Sequence, residues 1–136
     1  MSKVGEMFFT SIGCMDGRSQ GPVAEFGRRR FGAEYPDTIT EAGFVGLLSK
    51  DTIDERLLDS LKKKIAISLE KHHSKGIIVH GHQECAGNPV DDEKHKEDVR
   101  ISVQVIQSLI NPSLPIVGVF VKRSQENQNI WEAEEV

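Results

Sequence analysis

Two short stretches of the sequence carry residues that could do metal chemistry. The first places Cys14, Asp16 and Arg18 within five residues, and the second places His82 and Cys85 three residues apart. Cys14 and Cys85 are the chain's two cysteines, and thiolate and imidazole are ligand types that zinc prefers. Three such ligands leave the fourth tetrahedral position open, which is typical of catalytic rather than structural zinc sites.

The same residues also have simpler interpretations. Either cysteine taken singly is more often a small core residue, and the two could pair, although a chain without an export signal usually keeps its thiols reduced. Asp16 and Arg18 could form only a loop salt bridge. His80 would lie on the same strand face as His82 and is the rival ligand, but the H-x-x-C spacing favours His82.

Hydrophobic patterns predict the strands and helices that position these residues. Apolar or β-prone runs predict strands at residues 7–14, 35–43, 75–82 and 114–123, followed by a weakly alternating edge strand at 128–136. Helical spacing predicts a short helix around residues 21–30 and long helices over 51–73 and 91–110. Asp51 or Thr52 is the expected N-cap of the second helix, and Asp91 or Asp92 that of the third.

The alternation of strands and helices predicts an α/β fold. We expect a mostly parallel sheet flanked by helices on both faces, with an antiparallel C-terminal edge strand. Functional groups of such sheets gather at the C-terminal ends of the strands, where Cys14 and the His82–Cys85 pair both lie. If the first and third strands are neighbours, the three ligands converge and predict a zinc site.

Length and charge limit the classes of protein that need consideration. The 136 residues fit one domain, spanning 1–136, and a net charge of −4 gives no support for nucleic-acid binding. No stretch is long and apolar enough to suggest a membrane span, and Glu6 interrupts the N-terminal apolar run, so we expect a cytoplasmic protein. The basic cluster at 27–32 is interpreted as a solvated turn or a salt-bridge patch between subunits.

Other histidines and aromatic residues have ordinary expected roles. His72 and His73 are expected to complement a helix C-terminus. His95 could relay protons, but a solvated position is expected for it. Trp131 and Tyr35 are interpreted as packing residues.

The motifs "CMDGR" at 14–18 and "GHQECAG" at 81–87 resemble the C-x-D-x-R and H-x-x-C motifs of the β-class carbonic anhydrases. The resemblance implies a Rossmann-like core from about residue 7 onward. It also implies a Zn²⁺ ion held by Cys14, His82 and Cys85, with Asp16 and Arg18 as a catalytic dyad. The implied activity is the reversible hydration of carbon dioxide to bicarbonate by a zinc-bound hydroxide.

The chain departs from this family in its second strand region. An Arg-Asn-Ala-Gly-Asn stretch is usual there, whereas residues 40–44 read "TEAGF", so only Ala42 and Gly43 match. This departure leaves open a zinc-binding regulatory protein without catalysis. The resemblance itself leaves open a second activity, because related β-class folds hydrolyse carbonyl sulfide or carbon disulfide at the same kind of site.

Family members have their clefts at the subunit interface, so the resemblance implies a homodimer or a multiple of dimers. The predicted contacts are the second strand and the segment 41–48, because this segment is more apolar than a connecting loop needs to be. Its apolar residues are Phe44, Val45, Leu47 and Leu48.

Overall fold

A five-stranded sheet lies at the centre of the computed structural model, which describes residues 5–110 and 113–136. In chain order the elements are β1 (Phe8–Gly13), α1 (Gly17–Phe31), β2 (Tyr35–Thr40), α2 (Phe44–Leu48), α3 (Glu55–Ala66), β3 (Ile77–His82), α4 (Asp92–Ser108), β4 (Ile116–Arg123) and β5 (Trp131–Glu135). The strand order is β2-β1-β3-β4-β5; the first four strands are parallel and β5 is antiparallel to β4. The predicted fold class is confirmed.

Helices cover both faces of the sheet, as the pattern predicted. Alternate residues of a strand point to opposite faces, so Ile77 and Val79 of β3 join one core and Ile78 joins the other. The first core receives the apolar sides of α2, α3 and α4. The second receives the apolar side of α1. Among the described residues, no helix is long and apolar enough to cross a membrane.

The register of β1 against β3 requires a glycine in β1. Gly13 lies opposite His80, and a Cβ at Gly13 would come within 2.4 Å of the His80 ring. His80 is completely buried, and this burial lowers its pKa to about 3, so that the ring is neutral at pH 7. The missing side chain of Gly13 therefore makes room for a neutral imidazole inside the sheet.

The caps of the two long helices differ in how well they were predicted. Asp91 caps α4 as expected, with its carboxylate accepting a hydrogen bond from the Lys94 amide at 2.8 Å. For α3 the expected caps were wrong, because Asp54 is the N-cap and accepts from the Leu57 amide at 3.0 Å. The helix also ends earlier than predicted and continues as a π-helical turn over Ile67–Lys71.

Helix α1 is longer than the short helix predicted around 21–30, since it begins directly after Asp16. Asp16 is its N-cap and accepts a hydrogen bond from the Arg18 amide at 2.8 Å. The basic cluster lies largely in the last turn of α1 and is not a loop turn; cations there complement the helix dipole. Within this chain Arg30 pairs with Glu135 of β5.

The apolar segment 41–48 is part of the core of its own chain. It forms the short helix α2, in which Phe44, Val45 and Leu48 are at most 2% exposed and pack against the sheet and α4. A subunit contact through Phe44, Val45 and Leu48 is therefore wrong, because these side chains are buried within one chain. A contact through the second strand stays a prediction. The homodimer itself stays a prediction.

Replacing Phe44 with aspartate should unfold the protein rather than dissociate it. Loss of the buried ring alone costs about 3–5 kcal/mol, and an unpaired buried carboxylate adds to that cost. Urea denaturation followed by circular dichroism measures the change. Ile67→Asp is the control, because Ile67 is 56% exposed and the substitution should change the free energy of unfolding by about 0.5 kcal/mol or less. A Phe44→Asp variant that stays fully folded would contradict the core position.

Candidate metal centre

Three metal-binding side chains meet at the C-terminal ends of β1 and β3. Cys14 follows β1 directly, His82 is the last residue of β3, and Cys85 lies in the turn that follows. The two strands are neighbours, as the zinc prediction required. The two sulfur atoms and a ring nitrogen of His82 all lie within 4.8 Å of one another, and all three residues are buried. This group could hold a metal ion.

The separation of the two sulfur atoms fits a shared metal. Both cysteines are free, and their sulfur atoms are 3.8 Å apart. Two thiolates at about 2.3 Å from one tetrahedral zinc ion lie roughly 3.8 Å from each other. A disulfide would bring them to about 2 Å. The cysteine pair is thus arranged as two separate ligands.

His82 presents one ring nitrogen to this group. Its Nδ1 lies 2.8 Å from the carbonyl oxygen of Gln83; because a carbonyl can only accept, Nδ1 carries the proton and donates. Nε2 then has a lone pair, is buried, and has no hydrogen-bond partner among the described residues. A buried acceptor without a partner is costly, and a metal ion would use it. The donor set therefore fits zinc.

The environment of the two thiols separates their acidities. Burial works to raise the pKa of Cys14, but the adjacent His82 ring and the Gly43 amide, which donates to the Cys14 sulfur at 3.4 Å, bring it down to about 7. Burial raises the pKa of the Cys85 thiol, and the charge of Cys14 raises it further. Cys14 is consequently the thiolate that forms first.

Gly43 reaches Cys14 because two loops pack backbone against backbone. A Cβ on Gly43 would lie 2.4 Å from the carbonyl of Gly87, and a Cβ on Gly87 would lie 2.6 Å from the Gly43 nitrogen. Gly43 also has φ +61°, which favours glycine. Ala42 and Gly43 are the two residues of this region that match the β-class pattern, and no role for either could be inferred from the sequence. The hydrogen bond to Cys14 is a role for Gly43.

Asp16 and Arg18 form a two-point pair beside the three donors. Arg18 donates from Nε to Asp16 Oδ1 at 3.1 Å and from Nη2 to Oδ2 at 2.8 Å. Chiefly because of this pair, the pKa of Asp16 falls to about 2. The same Oδ2 lies 3.8 Å from Nε2 of His82. An ionised carboxylate with a fixed orientation thus lies next to the candidate ligands.

Trp131, interpreted from sequence as a packing residue, contacts the Arg18 member of this pair. Its ring centroid lies 4.8 Å from the Arg18 guanidinium carbon and 4.4 Å from that of Arg123. Glu84 accepts two hydrogen bonds from Arg123, at 2.8 and 3.0 Å, and lies 3.5 Å from Arg18. No sequence signal could have revealed this group, because it joins a helix start, a turn and two strands.

The remaining histidines lie elsewhere than the ligand group. His80, the rival ligand, is packed against Gly13 and is not one of the three clustered residues. His95 was expected to be solvated, which is wrong. It is 2% exposed, because Gly81 leaves space for its ring, and the ring centroid is 6.2 Å from that of His82. Burial lowers the pKa of His95.

His72 lies at the end of the π-helical turn, as expected, and its ring also contacts β1 and β2. Its ring bonds to the Asp37 carboxylate at 2.7 Å and stacks on Phe8 at 4.2 Å between ring centroids. This contact ties the π-helical turn to β1 and β2. Tyr35 packs against the same Phe8 ring at 5.5 Å and is 41% exposed.

Comparisons with known proteins agree with this arrangement. The carbonic anhydrase of Streptococcus mutans has 19% identity and a TM-score of 0.57, with 93% of this chain and 80% of that chain covered. The carbonic anhydrase of Glaciozyma antarctica has 21% identity and a TM-score of 0.50, with 83% and 75% covered. At these identities the likeness concerns the fold. A search of curated protein sequences found no match.

A family model gives the assignment. The model described as "Putative carbonic anhydrase" matches residues 4–131, which is nearly the whole chain. The resemblance seen in the two motifs is thereby confirmed. Since both motifs and all five strands begin within the matched residues, the chain belongs to this carbonic anhydrase family.

Proposed function

We propose that this protein catalyses the reversible hydration of carbon dioxide to bicarbonate at a zinc ion held by Cys14, His82 and Cys85. The observation that carries the proposal is the buried Nε2 of His82, which has no hydrogen-bond partner in the described part of the chain and lies near two free cysteines. Family membership supports the same reaction. A zinc ion with an open coordination position lowers the pKa of water to about 7 and so supplies a nucleophile at neutral pH.

Asp16 would orient that nucleophile. With a pKa of about 2 the carboxylate is ionised at pH 7. It can therefore accept a hydrogen bond, but it is too weak a base to remove the proton itself. A nucleophile that donates its hydrogen to Asp16 has its lone pair directed elsewhere, toward the carbon of the substrate. The role of Asp16 is therefore orientation and not proton removal.

Arg18 would keep Asp16 available for this task. A carboxylate is itself a zinc ligand, and Oδ2 of Asp16 lies 3.8 Å from the His82 nitrogen. The two hydrogen bonds from Arg18 hold both carboxylate oxygens and oppose their movement toward the metal. The charge-assisted pair thus sets the geometry of the reaction.

A cytoplasmic homodimer is part of the proposal. Two free, buried cysteines suit a reducing compartment. Asp16 and Arg18 keep 20% and 39% of their side-chain surface exposed within one chain, so the site is open on one side. A second copy would close that side and exclude water from the reaction.

The purified protein should bind about one zinc ion per chain. Cys14→Ser and His82→Ala should each weaken zinc binding at least about tenfold, because each removes one of three ligands. Metal analysis and calorimetric titration measure this. His72→Gln is the control, since His72 bonds to Asp37 and belongs to no metal-binding group within residues 5–110 and 113–136. Unchanged zinc affinity in both ligand variants would rule out the site.

Arg18→Ala should keep zinc binding and lose activity. Loss of the partner that orients Asp16 should lower the rate of carbon dioxide hydration about 10–100-fold in a stopped-flow assay. Arg29→Ala is the matched control on the same helix, because Arg29 is 76% exposed and pairs with Glu25 one turn away. Full activity in Arg18→Ala would show that the pair is merely structural.

A further inference from the structure

We propose that Trp131 of β5 is a positioning residue that holds Arg18, and through it Asp16, in the working geometry. Its effect on catalysis rests on the proposed function, whereas its effect on Arg18 does not. The C-terminal edge strand would thus be part of the site, although it contributes no metal-binding residue.

The first support is the stacking geometry. The guanidinium carbon of Arg18 lies 4.8 Å from the Trp131 ring centroid, which is within the range of a cation–π contact, and tryptophan is the strongest partner for it. Arg123 lies over the same ring at 4.4 Å. Arg123 and Trp131 are direct neighbours in the β4–β5 register, so the sheet itself brings the ring to this place.

The second support is the charge balance around the ring. Two guanidinium groups on one ring repel each other, and Glu84 lies between them. Its carboxylate accepts two hydrogen bonds from Arg123 and lies 3.5 Å from Arg18, and its carbonyl oxygen accepts from Arg18 Nη2 at 3.3 Å. Glu84 has φ +60°, an uncommon conformation for a side-chain-bearing residue. The turn between His82 and Cys85 is therefore shaped so that Glu84 joins both arginines.

The third support is that these contacts are independent of Asp16. Arg18 begins a helix, is 39% exposed and has a long flexible side chain, so its pair with Asp16 alone would leave it many alternatives. Trp131 and Glu84 contact the Arg18 guanidinium in addition to Asp16, and so restrict the conformations that the Arg18 side chain can adopt. The position of the Arg18 side chain is thus set by the turn and the edge strand, and its two hydrogen bonds help to orient Asp16. Without the ring, both side chains gain freedom, and the N-cap bond from the Arg18 amide is the restraint that still opposes a turn of Asp16 toward the ligand group.

A purely structural role for Trp131 is the competing interpretation, because the ring also packs at the edge of the α1-side core. Two variants separate the roles. Trp131→Leu keeps apolar bulk and removes the aromatic face, while Trp131→Phe keeps a weaker face. Tyr35→Leu is the matched control: Tyr35 is a half-exposed aromatic residue on the opposite edge strand and has no cation–π contact with any residue that the structure describes.

The experiment is ¹⁵N NMR of arginine Nε–Hε groups in the full chain, with and without zinc, with Arg18 assigned from the signal lost in Arg18→Lys. We expect the Arg18 signal to carry a ring-current shift and slow solvent exchange. Trp131→Leu should abolish the shift and speed exchange at least tenfold, Trp131→Phe should retain part of both, and Tyr35→Leu should change neither. An unchanged Arg18 signal in Trp131→Leu overturns the proposal. If the leucine variant does not fold, the same comparison is made with Trp131→Met.

The catalytic arm measures kcat and KM for carbon dioxide. Trp131→Leu should lower kcat about tenfold with KM within twofold, Trp131→Phe should restore most of kcat, and Trp131→Leu should have no further effect on kcat in an Arg18→Ala background. A normal kcat despite a mobile Arg18, or additive losses in the double variant, overturns the positioning role. A wild-type protein without hydration activity defeats the proposed function, and the NMR comparison then still decides whether Trp131 holds Arg18.

Discussion

The parallel pairing of β1 with β3 is the constraint on which the rest of the site depends. Gly13 lies opposite His80. Cys14, the residue after β1, therefore lies close to His82, the last residue of β3. A slip of one residue would turn every side chain of β1 to the other face and would bring a side chain against the His80 ring in place of Gly13. The fully buried, neutral imidazole of His80 and the absence of a side chain at Gly13 thus specify the β1–β3 register. This register brings the two motifs together.

Burial of the three candidate ligands costs free energy, and contacts within the protein offset this cost only in part. Cys14, His82 and Cys85 are all buried, and the imidazole nitrogen that faces the sulfurs has no hydrogen-bond partner among the described residues. Burying polar groups without partners is unfavourable, and deprotonated ligands are what a metal ion requires. The Gly43 amide lowers this cost at Cys14, and the backbone amides of Asn88 and Gly87 lower it in part at Cys85. Metal binding would therefore contribute to folding stability as well as to chemistry.

The sequence predicted the strands, the mostly parallel sheet and the residues that meet at the site. Hydrophobic periodicity is a local property, and in a parallel sheet the strands end at one edge, so that both kinds of information can be obtained without knowledge of long-range contacts. Prediction from the sequence failed where a long-range contact decides the outcome. Helix α2 forms because Phe44 is buried against the sheet and α4, and His95 is buried because Gly81 leaves room for it. The Trp131 contact with Arg18 joins residues more than a hundred positions apart, and no periodicity encodes it.

Asp16 has a second task that restrains its motion independently of Arg18's side chain. Its Oδ1 accepts from the Arg18 backbone amide as the N-cap of α1, and the positive end of that helix favours a negative charge there. Turning the carboxylate toward His82 would give up the cap as well as the guanidinium bonds. Capping residues contribute about 1 kcal/mol to helix stability, so α1 itself opposes metal capture. The helix that follows β1 thus both covers one face of the sheet and holds the carboxylate at the edge of the ligand group.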